Sequence, residues 1–180
     1  MSITMNGTLE LRTNRLLLRR YRLNDADALY SDFGTDDTMY EYSGWNPYAT
    51  AEAARNTIQQ FIARYEEPYF YGWAIEAEQH LVGTAGAYDY NAEENSIEIG
   101  ISIMRDCWGN GFASEALQRI LSYLTGEEGI ETVRAWCAYE NIGSQKAMEQ
   151  AGMMQTSHER AALHIKGNTF DKLNYEYHGK

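Results

Sequence analysis

The sequence predicts a mixed α/β (α+β) fold, a mostly antiparallel sheet accompanied by amphipathic helices. Three observations carry this. Residues 69–77, 81–89 and 96–104 are strand-like, alternate in polarity and are joined by short polar links, the order of an antiparallel meander. From Ala113 onward, Ala116, Leu117, Ile120, Leu121 and Leu124 recur at three- and four-residue spacing, one apolar face of a helix. Near the end, residues 155–165 and 169–177 bracket Lys166-Gly167-Asn168, a hairpin signal. With 180 residues and neither repeats nor a linker, the chain reads as a single domain over residues 1–180.

In chain order, residues 1–7 read as a loose leader. Leu9 to Leu11 and Leu16 to Tyr21 form an opening strand region, split at Thr13-Asn14. Asn24 suits an N-cap, with Asp25 and Asp27 in the first turn of a helix running to about Phe33. Gly44-Trp45-Asn46-Pro47-Tyr48 reads as a loop. Thr50 then caps a helix to about Tyr65, whose apolar face carries Ala54, Ile58, Phe61 and Ile62. Beyond the meander and central helix comes a strand over 132–139. Asn141 opens a last helix, with Ala147, Met148 and Ala151 inward and Gly152 just past its end.

Composition narrows the function. A net charge of −11 argues against nucleic acid, which needs a basic face, and mildly favours a cationic acceptor. No apolar run approaches the roughly twenty residues of a membrane span, and no signal-peptide core is present. Cys107 and Cys137 are too few for a disulfide framework, and the four histidines show no ligand spacing. The expectation is a reduced, cytoplasmic protein with no metal.

Chemistry concentrates between the strand 96–104 and the helix after it. Gly109 and Gly111 let the backbone turn sharply and approach a ligand closely. The first amides of a helix lack internal partners and sit at the positive end of its dipole, so this loop can cradle a phosphate. Two other readings stand beside it: plain turn glycines, and a dinucleotide fingerprint. The second needs further strand–helix units, and only about forty residues follow Glu140.

Trp108-Gly109-Asn110-Gly111-Phe112-Ala113-Ser114-Glu115-Ala116 resembles the acyl-CoA pyrophosphate loop of the GNAT superfamily of N-acyltransferases, in the form typical of its RimJ/RimL-like branch. The general pattern Gln/Arg-x-x-Gly-x-Gly/Ala falls on Trp108, Gly111 and Ala113, with Trp108 departing from Gln/Arg. Leu16-Leu-Leu-Arg with Asn24-Asp25, Leu81-Val-Gly83, and Asn141-Ile-Gly-Ser144 with Met148-Glu-Gln-Ala-Gly152-Met153 resemble further stretches of that branch, in its order.

The resemblance implies a twisted sheet splayed into a V, flanked by helices on both faces, with acetyl-CoA in the opening. The pantetheine arm would pair with the strand at Ile101 and Ile103 as one more strand. The pyrophosphate would rest on the amides of Trp108, Gly109, Asn110, Gly111, Phe112, Ala113 and Ser114. Asn141 would meet the pantetheine or simply cap its helix, and Lys146 would reach a phosphate or stay a solvated lysine. Glu98 is the candidate base, or a solvent-facing residue. A backbone amide near Ile101 or Ile103 would polarise the thioester carbonyl. Met148 stands where many relatives carry a tyrosine acid, leaving Ser144, with Tyr139 as the alternate. Cys107 has no histidine beside it in sequence, so direct transfer is expected rather than an acyl-cysteine. Trp45, Tyr48, Tyr71, Tyr88 and Tyr90 are candidate walls for the amine acceptor, a small cationic molecule or a protein N-terminus, or else aromatic residues of the core. Monomer and homodimer are both compatible. The rival function is an acyl-CoA sensor without turnover.

Overall fold

A computed structural model describes residues 5–43 and 48–180. Eight strands form one sheet in the order β1-β2-β3-β4-β5-β6-β8-β7. These are β1 (Leu11–Arg12), β2 (Leu17–Arg19), β3 (Tyr71–Ala77), β4 (His80–Asn91), β5 (Ser96–Ile103), β6 (Thr132–Ala138), β7 (Met154–Ile165) and β8 (Asn168–His178). Every neighbouring pair is antiparallel except β5 with β6. The meander expected from the alternation is β3-β4-β5. The closing hairpin turns at Lys166 and Gly167, both at positive φ, as a two-residue turn that follows strand twist requires.

Four α-helices are described: α1 (Asp25–Ala28), α2 (Ala51–Ala63), α3 (Phe112–Gly126) and α4 (Ile142–Gln150). The apolar stripe of α3 buries Ala116, Leu117, Ile120, Leu121 and Leu124 against Trp73, Ile75, Ile97 and Ile99 of the sheet, with Ala147 and Met148 of α4 in the same core. On the opposite face, Ala26, Leu29 and Ile58 of the first two helical segments pack with Tyr21, Phe70 and Ala74. Helices therefore cover both faces of β3.

Several local expectations give way to long-range contacts. Asn24 makes no side-chain cap bond. Its neighbour Asp25 is buried and takes both Nη1 and Nη2 of Arg19 at 2.9 Å, while Arg19 Nε donates to Glu76 at 2.6 Å. The helix that follows does reach Phe33, but Leu29–Phe33 is π-wound. Ile62, assigned to the inner face of α2, is exposed. The leader is tied down from residue 6: the carboxylate of Glu128, 1% exposed, accepts from the amides of Asn6 and Gly7 and from the Tyr71 hydroxyl. Tyr123 donates to the Gly7 carbonyl at 2.6 Å.

Candidate active site

The one parallel pairing sets the geometry. β5 and β6 are in register only at Ser96↔Thr132, Ile97↔Val133 and Glu98↔Arg134. Beyond Glu98, β5 stays with β4 and β6 stays with β8, so the two strands part. Residues 99–102 thus offer an edge free of a β6 partner to the opening, the arrangement an extended chain can join as an added strand, while at Ile103 the carbonyl already accepts from the Trp108 indole. Ile101 lies on this edge and Ile103 at its end.

At the mouth, a short 3₁₀ turn (Arg105–Cys107) leads into the glycine loop. Gly109 and Gly111 have φ of 81° and 76°, where only glycine sits without strain. Gly111 occupies the N-cap of α3 with no side-chain cap bond. The amides of Gly109, Asn110, Gly111, Phe112, Ala113 and Ser114 have no acceptor among the described residues; the first helical bond runs from Glu115 to the Gly111 carbonyl. The amide of Trp108 is different. It donates to the Arg105 carbonyl at 3.1 Å, so the open amides begin at Gly109 rather than at Trp108 as expected. The Trp108 indole N–H donates to the Ile103 carbonyl at 2.7 Å, stapling the loop to the end of β5. A row of outward donors at a helix start, with open space beside Gly109, fits a diphosphate.

α4 flanks the opening. Asn141 caps it, its Oδ1 accepting from the Ser144 amide at 3.2 Å, and its Nδ2 has no acceptor among the described residues. Ser144 is half-buried and Lys146 is exposed. Tyr139 is exposed and lies flat against His158, ring centroids 5.4 Å apart. Met148 is buried in the core.

Glu98 stands where β5 and β6 begin to part. Its isoleucine neighbours face α3, so its side chain points to the opposite face, half-buried. Burial raises its carboxyl above the ordinary range; the Trp136 indole works against this, Asp89 adds to it, and Lys172 opposes it. Tyr88 sits opposite Glu98 in register and lies across Gly100, its hydroxyl 3.3 Å from where a Cβ would stand. Burial and the charges of Glu98 and Asp89 push the Tyr88 phenol up to about 12. A cleft of about 390 Å³ adjoins this point, lined by Glu98, Trp136, Lys172 and Asn174 among others. Sequence reasoning missed Trp136 and Lys172, whose ring and ammonium lie 5.6 Å apart. The signal for Trp136 was only that it shares a face of β6 with Arg134, and Lys172, on β8, gave none of its own.

The other acceptor candidates separate. Tyr71 is 2% exposed and bonded to Glu128 on the α3 side, so it is core and cannot wall a cleft. Tyr90 stacks on Tyr69 at 3.9 Å and packs against that same core, away from Glu98. Tyr48 packs half-buried against the α1–α2 cluster. Trp45 lies outside the described residues. The Cys107 thiol is pushed up by burial and by Asp106 and Asp32, which disfavours a nucleophilic thiolate. Among the described residues, no group of His, Cys, Asp and Glu is placed to hold a metal ion, and no helix is long and apolar enough to cross a membrane.

Residues 15–154 match the acetyltransferase (GNAT) domain family. The chain belongs to the GNAT acetyltransferases. Among its relatives, the uncharacterized N-acetyltransferase YoaA of Bacillus subtilis is 30% identical over 167 residues, covering 92% of this chain and 94% of YoaA. A GNAT-family acetyltransferase from Bacillus anthracis has the same fold, with a TM-score of 0.83 at 24% identity over 94% of this chain and 98% of that one. The ribosomal L7/L12 α-N-protein acetyltransferase RimL, solved with coenzyme A, superposes with a TM-score of 0.85 at 17% identity, over 94% and 98% of the two chains. Like other GNAT enzymes, this acetyltransferase uses acetyl-CoA as its acyl donor.

Proposed function

We propose that this GNAT enzyme is a RimJ/RimL-like N-acetyltransferase that moves an acetyl group directly onto a primary amine, either a protein or peptide α-amine or a small-molecule amine. The observation that carries this reading is the row of open amides at the start of α3, set beside the free edge of β5 with Glu98 where that edge begins. Acetyl-CoA supplies an activated thioester when bound. The amides of residues 109–114 hold its diphosphate, and the backbone of Ile101 and Ile103 pairs with its pantetheine arm. Asn141 Nδ2 donates to that arm, and Lys146 adds charge near a phosphate.

The chain's own residues then manage protons and charge. Glu98 accepts the proton of the attacking amine, directly or through one water, as the new N–C bond forms. An α-amine, with pKa near 7.7–8.0, needs this less than a lysine-type amine near 10.4. A β5 amide at Ile101 or Ile103 stabilises the negative charge developing on the carbonyl oxygen. As the C–S bond breaks, Ser144 protonates the thiolate; Tyr139 is the alternate, held against His158. A thiolate with pKa near 8.5 also departs unaided. Tyr88, Trp136 and Tyr48 line the acceptor side. One domain over the whole chain, acting in the cytoplasm as monomer or homodimer, completes the proposal. The sensor alternative rested on Met148, and its burial in the core adds nothing in its favour.

The test is a thiol-release assay with acetyl-CoA against peptides, polyamines and aminoglycosides, run across pH. With kcat/KM expressed per neutral amine, so that the acceptor's own titration drops out, a base whose carboxyl is raised gives an acid limb with a midpoint above the usual carboxylate range. Glu98→Gln should remove that limb and lower kcat by about 10²- to 10⁴-fold. An unchanged acid limb in the variant takes Glu98 out of the mechanism.

A further inference from the structure

Arg15 sits in the turn between β1 and β2, yet its side chain is clamped against the start of α3. Its Nε and Nη2 both donate to Glu115 Oε2, at 2.7 and 2.6 Å. Glu115 Oε1 in turn accepts from the Arg15 amide at 2.9 Å and from the Thr13 hydroxyl at 2.7 Å. The guanidinium lies 4.8 Å from the centre of the Phe112 ring. Nη2 is 3.5 Å from the point where a side chain on Gly111 would begin. A cation is thus fixed at the rim of the loop whose amides face outward.

The geometry leaves part of that cation unused. A guanidinium carries five N–H donors, and Glu115 engages only the Nε–Nη2 edge. Nη1 has no acceptor among the described residues, and the side chain is 44% exposed. Glu115 alone would favour the helix dipole but repel a bound anion; Arg15 cancels that charge and keeps donors to spare. The loop has few other sources of positive charge in a chain of net −11. Trp108 brings none, and its indole is committed to Ile103.

We propose that Arg15 is the cation of the diphosphate cradle: Glu115 and Phe112 hold the guanidinium in place, and Nη1 donates to a phosphate oxygen of the acyl carrier. This rests on the cradle reading above. It adds a residue far from the loop in sequence.

The experiment is calorimetric titration of CoA, dephospho-CoA and pantetheine into the wild type, Arg15→Met and Gly111→Val. Arg15→Met keeps an apolar stem over Phe112 and removes the donors. It should weaken CoA and dephospho-CoA equally, by about tenfold, the scale of one charge-assisted hydrogen bond. The same loss should appear in a Glu115→Gln background, where no unpaired carboxylate is left to repel the phosphates. A loss that vanishes in that background would reduce Arg15 to a neutraliser of Glu115 and overturn the proposal. Pantetheine, which lacks the diphosphate, should bind as to the wild type, and the tenfold difference should shrink at high salt. Equal loss for pantetheine would make Arg15 a scaffold residue and overturn the proposal. So would unchanged CoA affinity, or a loss for CoA that spares dephospho-CoA, which would put Arg15 on the 3′-phosphate. Should Arg15→Met not fold, Arg15→Gln, which keeps a donor for Glu115, is read with the same ligands. Gly111→Val separates the two ideas: if it leaves CoA affinity intact the cradle is wrong, whereas a loss there beside an unaffected Arg15→Met removes Arg15 alone.

Discussion

The starts of α2 and α3 solve one problem in opposite ways. Every helix begins with amides that lack internal partners. At α2 the chain closes one of them itself: Thr50, in extended backbone, accepts from the Ala53 amide at 3.0 Å. At α3 a left-handed glycine takes the cap position, no side chain closes the turn, and the amides from Gly109 to Ser114 stay open. α4 falls between, since Asn141 caps with its Oδ1 and keeps Nδ2 free. An uncapped start forgoes about 1 kcal/mol of local stability. The sequence here builds one with two strained-for-others glycines and braces it through Trp108 and Arg15. The contrast teaches that an open helix start is built deliberately, and on the function proposed above the missing cap is a place kept for a ligand.

That contrast can be broken at each helix start. The largest effect is expected from Gly111→Val. A branched side chain at φ 76° strains the turn by about 1–2 kcal/mol and displaces several amides, so CoA should bind about a hundredfold more weakly by titration. Asn141→Asp keeps the capping oxygen but loses the Nδ2 donor. Thermal stability should hold while CoA affinity falls about fivefold, and a change in stability alone would make Asn141 a plain cap. Thr50→Ala should cost about 1 kcal/mol in urea denaturation and leave CoA affinity unchanged. A loss of affinity there would mean that the helix starts are not functionally distinct.

How much of this could be read from the sequence depends on the reach of each interaction. The meander, α2, α3 and α4 were legible because period two and period 3.6 are local. The open amides proposed as the cradle were legible for the same reason: they are backbone, and Gly109 and Gly111 mark them. What failed was long-range. Asn24 looked like a cap, but Asp25 is claimed by Arg19, and Glu76 of β3 shares that cation. The leader looked loose because its anchor, Glu128, lies more than a hundred residues away. Arg15 and Glu115 are likewise a hundred residues apart. Tyr71 was chosen as a wall residue for its aromatic type, yet helices bury both faces of β3 and leave it no cleft to line. Glu98 illustrates the middle case: alternation placed it opposite its isoleucines, and only the register with Tyr88 and the parting of β5 from β6 gave that face a meaning.

The most direct measurement is hydrogen–deuterium exchange on the wild-type protein with and without coenzyme A. The account predicts slowed exchange at residues 109–114 and along residues 99–103, with the start of α2 unaffected. Protection that appears elsewhere, with the glycine loop exchanging as fast as in the free protein, would contradict it.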